Sequence, residues 1–279
     1  MERSKKNMNL NHSGITVAGE SNTGRRRSVN EDNFLVYTPA KSRCAFALVA
    51  DGISGHVQGA TASSLCCRIA WQKLRILPDE AWNAAALTDI FNTINREIFK
   101  YNLRERREVS MGSAVCAAIF TPEKVIVANT GDCRFYEFIP GDNEPLRQIT
   151  RDHRPDERFF DRLKYNNEVR RKYRSALLRS LGPVNKVAVD IFEVERTPHS
   201  SYLLCSDGLY SAVNDAAIAA FMATAVNARE LTGKLIRTAL IHGGNDNISV
   251  IAALPEMPAA CPAAMDLRVW APMAPQEMA

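Results

Sequence analysis

Short apolar runs alternate along this chain with longer amphipathic stretches. The runs are rich in Val, Ile and Phe and are bounded by Gly, Asp, Asn or Pro, which is typical of β-strands. Strands are therefore predicted at residues 33–37, 43–50, 113–120, 124–128, 133–138, 187–194, 201–205 and 248–254. The sequence "KVIVANTGDCRFYEF" has two such runs around a Gly-containing turn, which predicts a β-hairpin.

The longer stretches carry apolar residues at helical spacing. Ile90, Phe91, Ile94, Ile98 and Phe99 recur three or four positions apart and define one apolar face. Helices are predicted at about 59–75, 80–106, 156–180, 215–226 and 228–242. Strand pairs separated by helix pairs favour an α+β fold, a layered sandwich built on antiparallel sheets.

The composition of the chain changes near both ends. Residues 1–13 are polar and are expected to form a flexible N-terminal segment. Residues 14–254 are enough for one domain with an ample core. From residue 255 onward Ala, Pro and Met dominate, and prolines at this density oppose helix and strand interiors. Residues 255–279 are therefore expected to form an extended tail outside the core.

The composition fits a soluble globular protein, with 46% hydrophobic and 24% charged residues. No apolar stretch approaches the ~20 residues of a membrane span, and no apolar segment follows the basic N-terminus as in a secretory signal. The net charge of +4 is too small to indicate nucleic-acid binding. Seven cysteines without Cys-x-x-Cys spacing disfavour a zinc site and indicate a reducing compartment. We expect a cytoplasmic monomer.

Acidic residues stand at the ends of several apolar runs. Asp51 and Asp207 each follow a run and precede a glycine, and Asp246 precedes the last run. Asp-Gly alone is a common turn, but carboxylates at several strand ends are what a Mg²⁺ or Mn²⁺ site requires. The glycine after Asp51 has no Cβ, so the carbonyl of Gly52 can come close enough to be a ligand.

A second polar cluster lies upstream, in "GRRRSVNEDNF". Arg27 precedes Glu31 and Asp32 there, and a guanidinium beside a carboxylate metal site can hold a phosphate through two parallel hydrogen bonds. Asp132, in "NTGD", is a further acidic candidate. Its alternative interpretation is a hairpin-turn residue.

Eight motifs follow one another in the order found in a known family. They are "GRRRSVNED", "VADGISGHVQGATAS", "MGSAVCAAIF", "ANTGDCRFY", "ITRDHR", "LLRSLG", "LLCSDGLYSAV" and "GGNDNISVI". In this order the chain resembles the metal-dependent protein phosphatases of type 2C, in their bacterial form, over roughly residues 14–254. The resemblance implies a four-layer α-β-β-α sandwich with a dinuclear Mn²⁺ or Mg²⁺ centre between its sheets.

The resemblance also implies roles for individual residues of the metal centre. Asp51 would bridge the two metals, and Gly52 would offer its carbonyl. Asp207 and Asp246 would complete the ligands of the pair.

The resemblance also implies roles for residues around this pair of metals. Glu31 and Asp32 would bind directly or through coordinated water, and Asp132 would help to hold a third, weaker metal. Arg27 would bind the substrate phosphate. Asn247 would support the neighbouring Asp246.

The implied reaction is hydrolysis of phosphoserine and phosphothreonine in proteins by a metal-activated water, reversing a Ser/Thr kinase. The chain has neither a Cys-x₅-Arg loop nor a Walker pattern, so a cysteine phosphatase and nucleotide-driven chemistry are disfavoured. Ile53 stands where eukaryotic relatives have a histidine, which leaves the general acid unassigned. The alternative function is a catalytically silent module of the same fold that binds a phosphoprotein or a regulator.

Overall fold

The computed structural model describes residues 5–9, 14–40, 42–53, 57–105, 110–156, 159–160, 168–169, 173, 176–256 and 267–269. The β-strands in this part of the chain are β1 (Lys5–Asn9), β2 (Ile15–Asn22), β3 (Asn33–Thr38), β4 (Ala45–Ile53), β5 (Gly112–Phe120), β6 (Lys124–Thr130), β7 (Arg134–Phe138), β8 (Leu146–Gln148), β9 (Asp190–Glu195), β10 (Ser201–Cys205), β11 (Ile248–Pro255) and β12 (Leu267–Val269). The α-helices are α1 (Val57–Leu74), α2 (Ala84–Glu105), α3 (Asp207–Tyr210), α4 (Asp215–Ala223) and α5 (Ala228–Ile241), and a 3₁₀ turn spans Asp79–Ala81.

The strands form two six-stranded sheets in which all neighbours are antiparallel. The first sheet has the order β1-β2-β11-β10-β7-β8, and the second has the order β12-β3-β4-β5-β6-β9. Helices α1 and α2 pack on the outer face of the second sheet, and α3, α4 and α5 pack on that of the first. The predicted α+β class, a four-layer α-β-β-α sandwich, is confirmed.

The alternation of side chains along β4 explains how the sequence builds these layers. Ala47 and Val49 pack between the sheets, whereas Leu48 and Ala50 pack against α1 and α2. Both faces of the strand are buried, so its sequence is continuously apolar. Asp51 is the next residue on the face of Ala47 and Val49, so the same alternation directs its carboxylate into the space between the sheets.

Three aromatic rings fill part of the interior between the two sheets. Phe120 belongs to the second sheet, and Phe135 and Tyr202 belong to the first. The ring centroids of Phe120 and Tyr202 are 5.6 Å apart, and those of Phe135 and Tyr202 are 5.7 Å apart. These rings therefore form a direct contact across the sandwich.

The predicted hairpin at residues 124–138 is wrong. Both strands exist, but β6 lies in the second sheet and β7 in the first, so the chain crosses the sandwich between them. At the crossing, Gly131 has a φ of +118°, and a Cβ there would lie only 2.4 Å from the Cβ of Ala114. The glycine marks a change of sheet in a confined space, and Asp132 follows it. Two short apolar runs around a glycine have the same local sequence pattern whether their strands pair in one sheet or lie in different sheets.

The other predicted strands are present with small changes at their ends, and four further strands occur. Strand β2, with Gly19 and a buried Glu20, and the short strand β8 were not predicted. Strand β1 lies within the N-terminal segment expected to be flexible, and β12 lies within the predicted tail. Most of the predicted helix at 156–180 and most of the tail fall outside the described residues, and the described end of that helix, residues 176–180, is not helical.

Candidate metal centre

One end of the sandwich forms a cavity of about 440 Å³ between the two sheets. Strand β4 ends there in the second sheet, and β10 ends and β11 begins there in the first. Its charged and polar lining consists of Arg27, Glu31, Asp51, Asp132, Arg154, Ser180, Asp207, Asp246 and Asn247, together with the backbone of Gly52. A groove between α1 and α2 is larger, about 690 Å³, but Glu97 is the one acidic residue among its described lining.

The second sheet contributes Asp51, near the end of β4, and Asp32, which directly precedes β3. Asn33 pairs with Ala50, so Asp32 and Asp51 lie side by side where β3 begins and β4 ends. Burial raises the pKa of Asp51 well above its ordinary value, and the carboxylates of Asp32 and Asp207 raise it further. Burial likewise raises the pKa of Asp32 to about 7, although Ser206 donates a hydrogen bond of 2.6 Å to its Oδ2.

The first sheet contributes Asp207 and Asp246. Asp207 begins α3 directly after β10, and Asp246 precedes β11. The guanidinium of Arg27 donates a hydrogen bond of 2.7 Å from Nη2 to Oδ2 of Asp246, and its Nη1 lies 3.9 Å from Oε2 of Glu31. Because the Arg27 side chain remains 46% exposed, it stands at the mouth of the cavity.

Asp132 and Arg154 form the remaining charged contact of the cavity. Nη2 of Arg154 contacts Oδ2 of Asp132 and lies 2.6 Å from Oδ2 of Asp207. The sequence analysis did not single out Arg154. It closes the motif "ITRDHR", but nothing local distinguishes it from the exposed Arg151 in the same motif.

Close backbone packing around Gly52 brings the start of α1 to the cavity. A Cβ on Gly52 would lie 2.1 Å from the carbonyl oxygen of Gly59, and a Cβ on Gly59 would lie 2.2 Å from Oε1 of Glu31. Only residues without a Cβ fit at these two positions. The carbonyl of Gly52 and the carboxylate of Glu31 therefore lie close together.

Asn247 connects the loop of residues 23–31 to the start of β11. Its Oδ1 accepts a hydrogen bond of 2.8 Å from the amide of Glu31, and its Nδ2 donates bonds of 2.8 and 3.0 Å to the carbonyl oxygens of Thr23 and Val29. Its own amide donates to Oδ1 of Asp246. The buried Asn247 side chain thus fixes the segment that carries both Arg27 and Glu31.

Replacing Asn247 by alanine is expected to loosen this segment. The Asn247→Ala change removes three hydrogen bonds at a buried position, so we expect a loss of about 2 kcal/mol in the free energy of unfolding. Chemical denaturation measures this loss. The exposed neighbour Asn245 provides the control, since Asn245→Ala should change stability by less than about 0.5 kcal/mol. Equal effects of the two changes would contradict the structural role of Asn247.

The donor set of the cavity fits divalent cations. No three Asp, Glu, His or Cys side chains in the described part of the chain close around one point, but Mg²⁺ keeps several waters and takes only one or two carboxylates. Oδ1 of Asp32 is buried and has no hydrogen-bond partner among the described residues. Burial and the neighbouring carboxylates raise the pKa of Asp51 and of Asp32, and a bound cation would offset both effects.

The fold and this cavity together define a class of protein, the hydrolases that use divalent cations on phosphate esters. Comparison with known proteins identifies the family. The chain matches the protein phosphatase 2C family over residues 19–240. The chain belongs to this family.

Known phosphatases resemble this chain both in sequence and in structure. The serine/threonine phosphatase stp of Listeria innocua is 33% identical over 233 residues, which cover 82% of this chain and 91% of the relative. The crystal structure of the serine/threonine phosphatase PstP/Ppp of Mycobacterium tuberculosis is 29% identical and superposes with a TM-score of 0.73, covering 87% of this chain and 99% of that one. The catalytic domain of PstP with two manganese ions has 28% identity and a TM-score of 0.72, with 86% and 97% coverage.

Proposed function

We propose that this chain hydrolyses phosphoserine and phosphothreonine in proteins at the cavity between its sheets. As a protein phosphatase 2C, it is a serine/threonine phosphatase that depends on Mn²⁺ or Mg²⁺. The observation that carries the assignment of the site is the convergence of Asp51, Asp207 and Asp246, from both sheets, in one cavity with Arg27 at its mouth. The test is hydrolysis of a phosphothreonine peptide with Mn²⁺ or with a chelator.

In this proposal the acidic residues hold two cations. Asp51 would bridge the two cations and Gly52 would offer its carbonyl, while Asp207 and Asp246 would supply ligands from the first sheet. When bound, the cations neutralise the phosphate dianion and lower the pKa of the water that attacks phosphorus. Burial and the neighbouring carboxylates raise the pKa of Asp51, and a bound cation would offset both effects, which supports this assignment.

Four further side chains complete the site. Glu31 and Asp32 bind the cations directly or through water, and Asp132 is the candidate ligand of a third, weaker cation. Arg27 presents its guanidinium at the mouth, where it can exchange Asp246 for the substrate phosphate.

Replacing Arg27 by alanine is expected to weaken substrate binding more than chemistry. The Arg27→Ala change removes the charged donor for the phosphate, so we expect KM for a phosphothreonine peptide to rise about tenfold, with a smaller effect on kcat. Steady-state kinetics with Mn²⁺ measure both constants. Arg26→Ala removes an exposed charge from the same loop and is the control. An unchanged KM in Arg27→Ala would contradict the phosphate-binding role.

The proposed cellular role is to reverse a Ser/Thr kinase on phosphoprotein substrates, as a monomeric signalling enzyme of a bacterial cytoplasm. The bacterial relatives, which are themselves serine/threonine phosphatases and match most of this chain, support this role. Among the described residues, no helix combines the length and apolar character needed to span a bilayer. The mild net charge supports a protein substrate over a nucleic acid.

A further inference from the structure

Arg154 places a fixed positive charge inside the acidic cavity. A single nitrogen atom, Nη2, bridges Oδ2 of Asp132 and Oδ2 of Asp207. The Arg154 side chain is 26% exposed and that of Asp132 is 3% exposed, so the contact is largely shielded from water. Contacts of this kind are stronger than ion pairs on an open surface.

The backbone around both residues holds this contact in place. His153 and Gly131, the neighbours of Arg154 and Asp132, exchange two hydrogen bonds. The amide of His153 donates to the carbonyl oxygen of Gly131 at 2.9 Å, and the amide of Gly131 donates to Nδ1 of His153 at 3.0 Å. In addition, the hydroxyl of Tyr210 donates to the carbonyl oxygen of Asp132 at 3.0 Å. The segment that crosses between the sheets therefore fixes the position of Arg154 relative to Asp132.

The guanidinium and a cation compete for the same two oxygen atoms. A Mg²⁺ ion held by Asp132 and Asp207 would lie about 2.0–2.1 Å from each oxygen and would need the space that Nη2 of Arg154 fills. Arginine stays protonated at any pH at which the protein is folded, so the competitor cannot be titrated away. The ligands Asp51 and Asp246 make no hydrogen bond or ion pair with Arg154 among the described contacts.

We propose that Arg154 acts as a built-in counter-ion that excludes a divalent cation from the place between Asp132 and Asp207. This inference rests on the proposed function and restricts the number of cations that the cavity holds. The cavity takes two cations at Asp51, and a third binds at Asp132 only when Arg154 has moved away. Arg154 thus determines how many metal ions the enzyme holds at a given metal concentration.

The experiment counts Mn²⁺ ions bound to the full-length protein by titration calorimetry, checked by electron paramagnetic resonance of the free ion. The wild-type protein is expected to bind two Mn²⁺ ions tightly. Arg154→Ala and Arg154→Gln are expected to bind a third, with an affinity on the order of tenfold higher than any third site of the wild type, because a charged hydrogen bond no longer opposes it. Arg154→Lys keeps a positive charge and should retain most of the exclusion.

Two controls isolate the contact from general electrostatics. Arg151→Ala removes an exposed charge from the same motif and should leave the isotherm unchanged. Adding Asp132→Ala to Arg154→Ala should remove the third ion again. Circular dichroism verifies that each variant is folded, and Arg154→Gln removes the charge while it retains a polar side chain.

The outcomes separate this inference from the proposed function. Equal numbers and affinities of Mn²⁺ in the wild type and in Arg154→Gln, with normal Mn²⁺-dependent turnover, would overturn the role of Arg154 alone. A third ion that persists without Asp132 would also overturn it. The absence of any Mn²⁺ binding and turnover in the wild type would overturn it together with the proposed function.

Discussion

Removal of divalent cations is expected to abolish turnover of p-nitrophenyl phosphate and of a phosphothreonine peptide. Two arginines line the cavity, but Arg154 is already paired with Asp132 and Asp207, so Arg27 alone is left to neutralise a phosphate dianion. We expect activity in excess chelator to fall by at least about a thousandfold, equivalent to about 4 kcal/mol in activation free energy. Added Mn²⁺ should restore it.

The same experiment has a second measurement that does not depend on turnover. Ligands that bind only the folded state stabilise it, by about 2.7 kcal/mol at a hundred times the dissociation constant. Mn²⁺ should therefore raise the melting temperature of the wild-type protein. Full activity in chelator would remove the proposed mechanism. A protein that binds phosphopeptide and Mn²⁺ without turnover would instead support the catalytically silent module.

Asp51→Asn is expected to have the largest effect of any single substitution. The change keeps the shape of the side chain but removes the charge that would bind both cations in the proposed site, so we expect kcat with Mn²⁺ to fall by about a thousandfold or more. The metal-free variant should be at least as stable as the metal-free wild type, since burial and neighbouring carboxylates already raise the pKa of Asp51. Kinetics and thermal melts measure the two effects separately.

A matched control for Asp51→Asn is available on the surface of α2. Asp89 is exposed and forms an ion pair with Lys73, remote from the cavity lining. Asp89→Asn makes the same chemical change and should leave kcat and the Mn²⁺-induced stabilisation unchanged. If Asp51→Asn retained more than about a tenth of wild-type kcat, the bridging role of Asp51 would be wrong.

The apolar runs were sufficient to predict most of the sandwich, because strands buried on both faces are continuously apolar. Strand β2 escaped this reasoning since its sequence, "ITVAGESN", ends in polar residues that are nevertheless buried beside β11. The hairpin failed for a different reason. A turn at Gly131 can join neighbours within one sheet or carry the chain to the other sheet, and the choice depends on strand partners far away in the sequence.

The candidate ligands could be named from the sequence because each stands at the end of an apolar run in a recognisable order of motifs. The structure brings Asp51, Asp207 and Asp246 into one cavity, while their roles stay predictions. Arg154 could not be named, since its importance lies in the two carboxylates it meets in three dimensions. Such a contact leaves no periodicity and no local spacing in the chain.

The contact of Phe120 with Tyr202 across the interior has a consequence for evolution and engineering. The candidate ligands Asp32 and Asp51 stand at the second sheet, and Asp207 and Asp246 stand at the first. The thickness of the aromatic layer between the sheets would therefore set the distance between these two groups of carboxylates. Phe120 lies opposite Ala45, at the far end of β4 from Asp51. A smaller or larger aromatic residue at this position would therefore change the affinity for the cations without altering any coordinating atom.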